Sequence, residues 1–341
     1  MRRLATRMSE MFSLGVLDLV PRLNDASAEQ ALQQSVTLAQ HAEAWGYARY
    51  WTSEHHDMAE LASASPEVLL SHIGAKTTTI QLGSGAVLLP HYSPLKVAES
   101  FRLLAALYPG RIELGLGRAP GGGPHATMAL SGNYLQHVSK LPESLTALKE
   151  LLEDRYSYED HPVTARPIPK LPLSLWMLGT NVKSAEFAAR FGMGYVFGQF
   201  MSDADGTEAV RRYREGFTPS ATMKEPAVMV AVSVLCAESQ TDAMDWSREM
   251  AERRKADGKE HGSELNSRGI GASHTNDSTS ADQNESMRHY AGTAEQVWAQ
   301  LQQVSRKLGT EKLLLVTAGP DYERRLDSYR LLADHKTAIL K

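Results

Sequence analysis

The sequence predicts an α/β protein folded as a (β/α)8 TIM-like barrel, with insertions at the carboxyl ends of its strands. Strand-like and helix-like segments alternate along the 341 residues, and eight strands can be counted, each followed by a helix or a helix-containing connection. Such alternation implies parallel strands covered by helices, and eight units imply closure into a barrel. Hydrophobic residues make up 42% of the chain and charged ones 22%, which is the balance of a packed core under a solvated surface. The competing architecture is a doubly wound open sheet.

The elements follow in order. Phe12 to Leu17 is a short apolar run closed by Asp18-Leu19-Val20-Pro21. Ser27 opens a helix with Gln30 three positions on as its capping-box partner, and Gly46 stops it. Tyr47 to Ser53 is the second strand, Pro66 to Lys76 a helix, and Ile80 to Leu89 a third, buried strand. That strand contains Gly83 and Gly85, and glycine inside a strand marks a close approach of another group. Pro94 to Tyr108 is a helix and Arg111 to Gly117 the fourth strand. After a long connection come strand Leu173–Leu178, helix Lys183–Phe191, strand Tyr195–Gly198, helix Asp203–Gly216 and the strongly apolar strand Val228–Cys236. A helix from Thr241 to Arg254, another from Thr293 to Leu308, strand Lys312–Val316 and a terminal helix complete the pattern.

Two stretches break the rhythm. Residues 119–140 begin Ala119-Pro120-Gly121-Gly122-Gly123-Pro124, a run no regular element tolerates. Residues 255–286 are nearly all polar or small, too poor in apolar surface to offset the entropy of ordering, and read as a mobile lid or a disordered insertion. The barrel count makes residues 1–341 one domain, with the surplus over about 250 residues lying mostly over the barrel mouth.

Composition excludes several classes of function. The formal charge of −4 gives no electrostatic footprint for nucleic acid or an anionic membrane, and no apolar run spans a bilayer. The start, Met1 to Arg7, is basic but lacks the apolar core of a signal peptide. Cys236 is the only cysteine, so no intramolecular disulfide forms, and a cytoplasmic location is expected. No zinc-type ligand set, Walker A loop or Gly-x-Ser-x-Gly elbow occurs.

Chemistry concentrates at predicted strand ends. Glu54-His55-His56 follows the second strand, and reads either as a site with a titratable histidine or as a hydrogen-bonded surface pair. Adjacent strand residues face opposite sides, so both histidines can serve one site only if the strand has ended before them. Gly115-Leu116-Gly117-Arg118 ends the fourth strand, but Pro120 stands where a dinucleotide fingerprint needs glycine. What remains is a glycine-lined strand end with one cation, Arg118, suited to a phosphate or to a solvated bend. Gly179-Thr180-Asn181-Val182-Lys183-Ser184 joins a strand to a helix, where Thr180 or Asn181 suits the N-cap and the same groups suit an anion.

At these residues the chain resembles the bacterial luciferase-like flavin monooxygenases. The matching blocks are Ala44 to His56, Leu82 to Pro90, Tyr108 to Gly121, and Trp176 to Thr180 with Ala185 to Gly192, in the family's order and spacing. The likeness is to the non-luminous, single-component branch, and Gly117 stands where luminous members carry a reactive cysteine. The resemblance implies a (β/α)8 barrel binding reduced FMN at the strand carboxyl ends. It places the phosphate-binding arginine on Arg118, the phosphate loop on Gly179, Thr180, Asn181 and Ser184, a non-proline cis peptide under the flavin at Gly85-Ala86 or one residue later, and the active-site histidine on His55. The implied reaction uses FMNH2 from a separate NAD(P)H-dependent flavin reductase and O2, forms a flavin hydroperoxide, and oxidises a small organic substrate, with 255–286 closing as a lid. The resemblance also implies a homodimer, although no interface stripe is legible. Alternatives within the fold are hydride transfer with a deazaflavin coenzyme, whose branch carries an aromatic beyond the histidine where Asp57 and Met58 stand here, and a non-catalytic flavin-binding protein.

Overall fold

The computed structural model describes residues 13–202, 204–252, 289–317 and 319–341. Eight parallel strands close into a barrel: β1 (Ser13–Asp18), β2 (Arg49–Thr52), β3 (Gln81–Ser84), β5 (Ile112–Gly117), β8 (Ser174–Gly179), β9 (Gly194–Gly198), β10 (Val228–Cys236) and β12 (Lys312–Val316). Closure is direct, since β10 pairs with both β9 and β12, and β12 pairs with β1 in the register Ser13↔Lys312 to Val16↔Leu315. A further strand, β11 (His289–Gly292), extends the sheet beside β10, and a two-stranded hairpin of β6 (Ser157–Tyr158) and β7 (His161–Pro162) lies outside it. Among the described residues no helix is long and apolar enough to cross a membrane.

Local chemistry explains most element ends. Helix α1 (Ala28–Ala44) starts with the expected capping box, Ser27 accepting from the Gln30 N–H while the Gln30 side chain accepts from the Ser27 N–H. Helix α7 (Val182–Phe191) is capped by Asn181 and ends at Gly192 in the left-handed region. Helices α10 (Ala294–Leu308) and α11 (Tyr322–Leu340) open on Thr293 and Asp321, whose side chains accept the N–H groups of Gln296 and Arg324.

Three expectations differ from what the chain does. The segment 80–89 is not one strand: β3 ends at Ser84, β4 (Val87–Leu88) pairs separately with β5, and the Gly85–Ala86 peptide between them is cis. Residues 119–140 are irregular only to Gly123; α4 (Pro124–Ser131) and α5 (Tyr134–Ser139) follow, with Pro124 in the first turn, where a missing N–H costs nothing. The helix expected from Asp203 begins at Thr207, after Gly206 with φ +80°. The proposed lid at 255–286 lies outside the described residues.

The barrel interior is filled by protein. Leu17, Trp51, Trp176, Val196, Met229, Ala231, Leu314 and Val316 form one buried cluster, with the two indoles edge-on at 6.2 Å. This packing explains the glycines of the third strand. A Cβ on Gly83 would lie 2.3 Å from the Trp51 indole nitrogen, and one on Gly85 2.4 Å from Leu17. The groups approaching those glycines are therefore the barrel's own side chains. Lower down, Glu113 on β5 accepts from Trp51 Nε1 at 2.7 Å and faces Arg49 Nε at 3.3 Å.

Candidate active site

The strand carboxyl ends bring three of the sequence-predicted groups around one mouth. On one side, Arg118 directly after β5 reaches across to the start of α7. Its Nη2 donates to Asn181 Oδ1 at 3.0 Å and its Nε to Ser184 Oγ at 3.3 Å. Asn181, not Thr180, is the N-cap, accepting the Ser184 N–H at 3.2 Å. The N–H groups of Val182 and Lys183 are left unpaired among the described residues, as expected for the first turn of a helix. Thr180 contributes its carbonyl, which accepts from Ser202 Oγ at 3.2 Å. Gly179 is glycine because a Cβ there would sit 2.2 Å from both Cβ and Oγ of the buried Ser184.

Arg118 has no carboxylate partner among the described residues; its acceptors are a neutral amide and a hydroxyl. A half-exposed guanidinium beside a helix N-terminus, with charge not neutralised by an acid, is a donor set suited to a phosphate dianion. The residues present fit such a group.

The neighbouring quarter of the mouth carries the histidines. Strand β2 ends at Thr52, so the restriction that would send His55 and His56 to opposite faces does not apply. His55 is half-buried, with Nδ1 3.0 Å from Ser53 Oγ and its backbone N–H on the Ser63 carbonyl. Burial, helped by His56, pushes its pKa below the ordinary imidazole value, so the ring is neutral at pH 7. Between the histidines and the arginine lies the divided third strand, in which the Gly85 N–H, one residue before the cis Gly85–Ala86 peptide, donates to the Thr52 carbonyl at 2.8 Å.

Several members of this site carried no expected role in the sequence, Glu54 being noted there only as the neighbour of the histidines. Glu54 is 3% exposed, accepts from the Tyr92 hydroxyl and the Leu88 N–H, and lies 2.9 Å from His56 Nε2. His91 Nε2 lies 2.8 Å from the Pro120 carbonyl, which can only accept, so that nitrogen carries the proton and Nδ1 accepts from Ser131 Oγ. Burial lowers the His91 pKa, in keeping with a neutral ring. Tyr134 stacks on His91 at 5.0 Å and donates to the Arg118 carbonyl. The irregular run after Arg118 is thus pinned by His91, Tyr134 and the His56 N–H, which donates to the Gly121 carbonyl at 2.8 Å. The one sequence signal for these residues is polar side chains just past an apolar run, in Leu89-Pro90-His91-Tyr92. No group of three or more metal-ligating side chains occurs among the described residues.

Known proteins resemble this chain in sequence and fold. The chain is 40% identical over 333 residues to the Bacillus subtilis (strain 168) protein YwcH, covering 95% of this chain and 99% of that one. It is 40% identical over 209 residues to an N-acetyl-S-alkylcysteine monooxygenase of the same organism, 61% of this chain and 62% of that protein. The crystal structure of apo-MsnO8 superposes with a TM-score of 0.82 at 33% identity, over 96% of this chain and 98% of the other. Residues 12–312 match the family model of the luciferase-like monooxygenases, and the chain belongs to that family.

Proposed function

We propose that the protein is a flavin-dependent monooxygenase that takes reduced FMN from a separate NAD(P)H-dependent flavin reductase and uses O2 to oxidise a small organic substrate. The observation that carries this reading is the convergence of Arg118, the Ser184 hydroxyl and the unpaired first-turn N–H groups of α7 at the barrel mouth. When bound, reduced FMN supplies the electrons that activate oxygen. The chain's own residues bind, orient and shield.

Arg118, Ser184 and the N–H groups of Val182 and Lys183 would hold the phosphate, and the backbone of Gly85 and Ala86, between them and the histidines, would lie against the ring. The Trp51–Trp176 core beneath admits no water from the barrel interior. His55, neutral at pH 7, accepts and returns a proton at Nε2 while Ser53 holds Nδ1. The name of the cysteine-derivative monooxygenase relative supports oxygenation of a small organic molecule.

Titration of the flavin-free protein with FMN, reduced FMN and a deazaflavin, followed by exposure to O2, tests the reading. Tightest binding of FMN or its reduced form, with oxygen consumed, is the expected result. Tightest binding of the deazaflavin without oxygen uptake transfers the site to hydride chemistry, and no binding below millimolar removes the cofactor altogether. His55→Ala should keep FMN affinity and lose turnover by about a hundredfold, a common value for a removed acid–base group. In the unmodified protein, turnover should fall on the acid side with a midpoint below the ordinary imidazole value of 6.5, as the ring becomes charged.

A further inference from the structure

Glu54 is a buried carboxyl on which three polar groups from separate parts of the chain converge. Oε2 takes the Leu88 N–H at 3.1 Å, while Oε1 takes the Tyr92 hydroxyl at 2.7 Å and lies 2.9 Å from His56 Nε2. Burial pushes its pKa up, and the three hydrogen bonds oppose that shift. An ion this deeply buried persists only where its lone pairs are used, and here three of them are. The Leu88 N–H can only donate, so Oε2 is an acceptor whatever the other groups do.

We infer that Glu54 is a positioning residue whose carboxylate holds His56 with its proton on Nε2, leaving Nδ1 as a second proton acceptor at the barrel mouth beside His55. The His56 side chain keeps 13% exposure, and its Nδ1 makes no hydrogen bond among the described residues. The two adjacent histidines are then wired in opposite senses. His55 has Nδ1 engaged by Ser53 and Nε2 available; His56 has Nε2 engaged by Glu54 and Nδ1 available. The same carboxylate anchors Leu88, three residues past Gly85, so one group sets both a histidine ring and the backbone beside the cis peptide. The other titratable groups against His56 are His55 and His91, whose ring lies 6.2 Å away edge-on.

The inference rests on the monooxygenase reading for its consequence, but its first test needs no flavin. Long-range 1H–15N NMR of the full-length, flavin-free protein at about pH 8.5, above the ordinary imidazole range, reports which ring nitrogen carries the proton. The His56 signals are assigned by their loss in His56→Gln. The expected result is a proton on Nε2; a proton on Nδ1 overturns the inference, because it means that Glu54 is itself protonated and donating.

In Glu54→Gln the single side-chain oxygen is claimed by the Leu88 N–H, so the amide N–H2 faces His56 and the proton moves to Nδ1. Retention on Nε2 overturns the inference. Tyr92→Phe removes a different donor from the same carboxylate and should leave the proton on Nε2; a switch there means that packing, not the carboxylate, decides. The measurements on the unmodified protein and on Tyr92→Phe stand even if Glu54→Gln does not fold. With FMN, Glu54→Gln should bind as the unmodified protein does, since Arg118 and Ser184 are untouched, and turn over about a hundredfold more slowly. Equal turnover overturns the positioning role, whereas failure of both proteins to bind FMN counts against the flavin reading and leaves the tautomer result intact.

Discussion

Two arginines show how this barrel separates charge that holds the fold from charge that remains available. Arg325 on α11 is 3% exposed and donates to Asp18 Oδ1 at 2.5 Å and to the Thr317 carbonyl at 2.8 Å. Asp18, at the end of β1, also accepts from Tyr50, Ser35 and the Val20 N–H. Both charged groups of that network have partners, and the last helix is thereby fastened to the first strand. Arg118 sits at the same end of the barrel but meets only a neutral amide and a hydroxyl, half in solvent. A buried cation must be neutralised by its own chain, whereas one that serves a ligand must not be.

Breaking the first arrangement should have the largest effect. Arg325→Met leaves Asp18 buried without its counter-ion, and the urea midpoint should report a loss of about 3–5 kcal/mol. A loss under about 1 kcal/mol would show that the pair resembles a surface ion pair in its worth. Arg118→Ala should do the reverse: stability within about 0.5 kcal/mol of the parent, and FMN affinity weaker by about 1.5–3 kcal/mol, the value of a charge-assisted hydrogen bond. An unchanged affinity moves the phosphate elsewhere.

A third test keeps the charge and disturbs its seat. In Gly179→Ala the new Cβ would lie 2.2 Å from Ser184, so the start of α7 must shift. About 1–3 kcal/mol of stability should be lost, together with FMN affinity. Gly123→Ala, where an added Cβ meets nothing within 4 Å, is the control: it should keep FMN affinity and cost no more than about 1 kcal/mol, from the poorer N-cap of α4.

The smallest effect concerns a carboxylate that resembles Asp18 in its role but lies near the surface. Burial raises Glu43, yet the N–H groups of Thr79, Ile80 and Thr78 and the Thr79 hydroxyl together outweigh it and lower the carboxyl to about 2, from an ordinary 4.5. Because the folded value is the lower one, its contribution is complete above 4.5 and is lost as pH falls toward 2. Solvent screening limits this to about 1 kcal/mol. The unmodified protein should lose that increment across the acid range, and Glu43→Gln should lack it at neutral pH and show a flatter acid limb.

Local features were legible where the physics is local. Ser27 with Gln30, Asn181 before α7 and the apolar run Val228–Cys236 announce their elements because capping and periodic burial involve residues a few positions apart. Arg118 and the 179–184 loop could be picked out as polar groups at strand ends, with family resemblance adding that they act together. The partners of Glu54 could not, because Leu88 and Tyr92 are 34 and 38 positions away and reach it only when the segment after β3 is folded against the residues that follow β2. Nor could the filling of Gly83 and Gly85 by Trp51 and Leu17, which requires the barrel to close.

The sequence by itself determined a parallel βα alternation of eight units, the helix starts that carry a local cap, and a cation and two histidines at strand ends. Those follow from short-range sterics and from periodic burial, which a chain carries in its order of residues. Tertiary structure alone decided which polar groups are spent and which are kept. It paired Arg325 with Asp18 across 307 positions, and left Arg118 facing Asn181 and Ser184 without an acid. It also turned Glu54 inward beneath the histidines, because a carboxylate takes its meaning from the donors that folding brings to it.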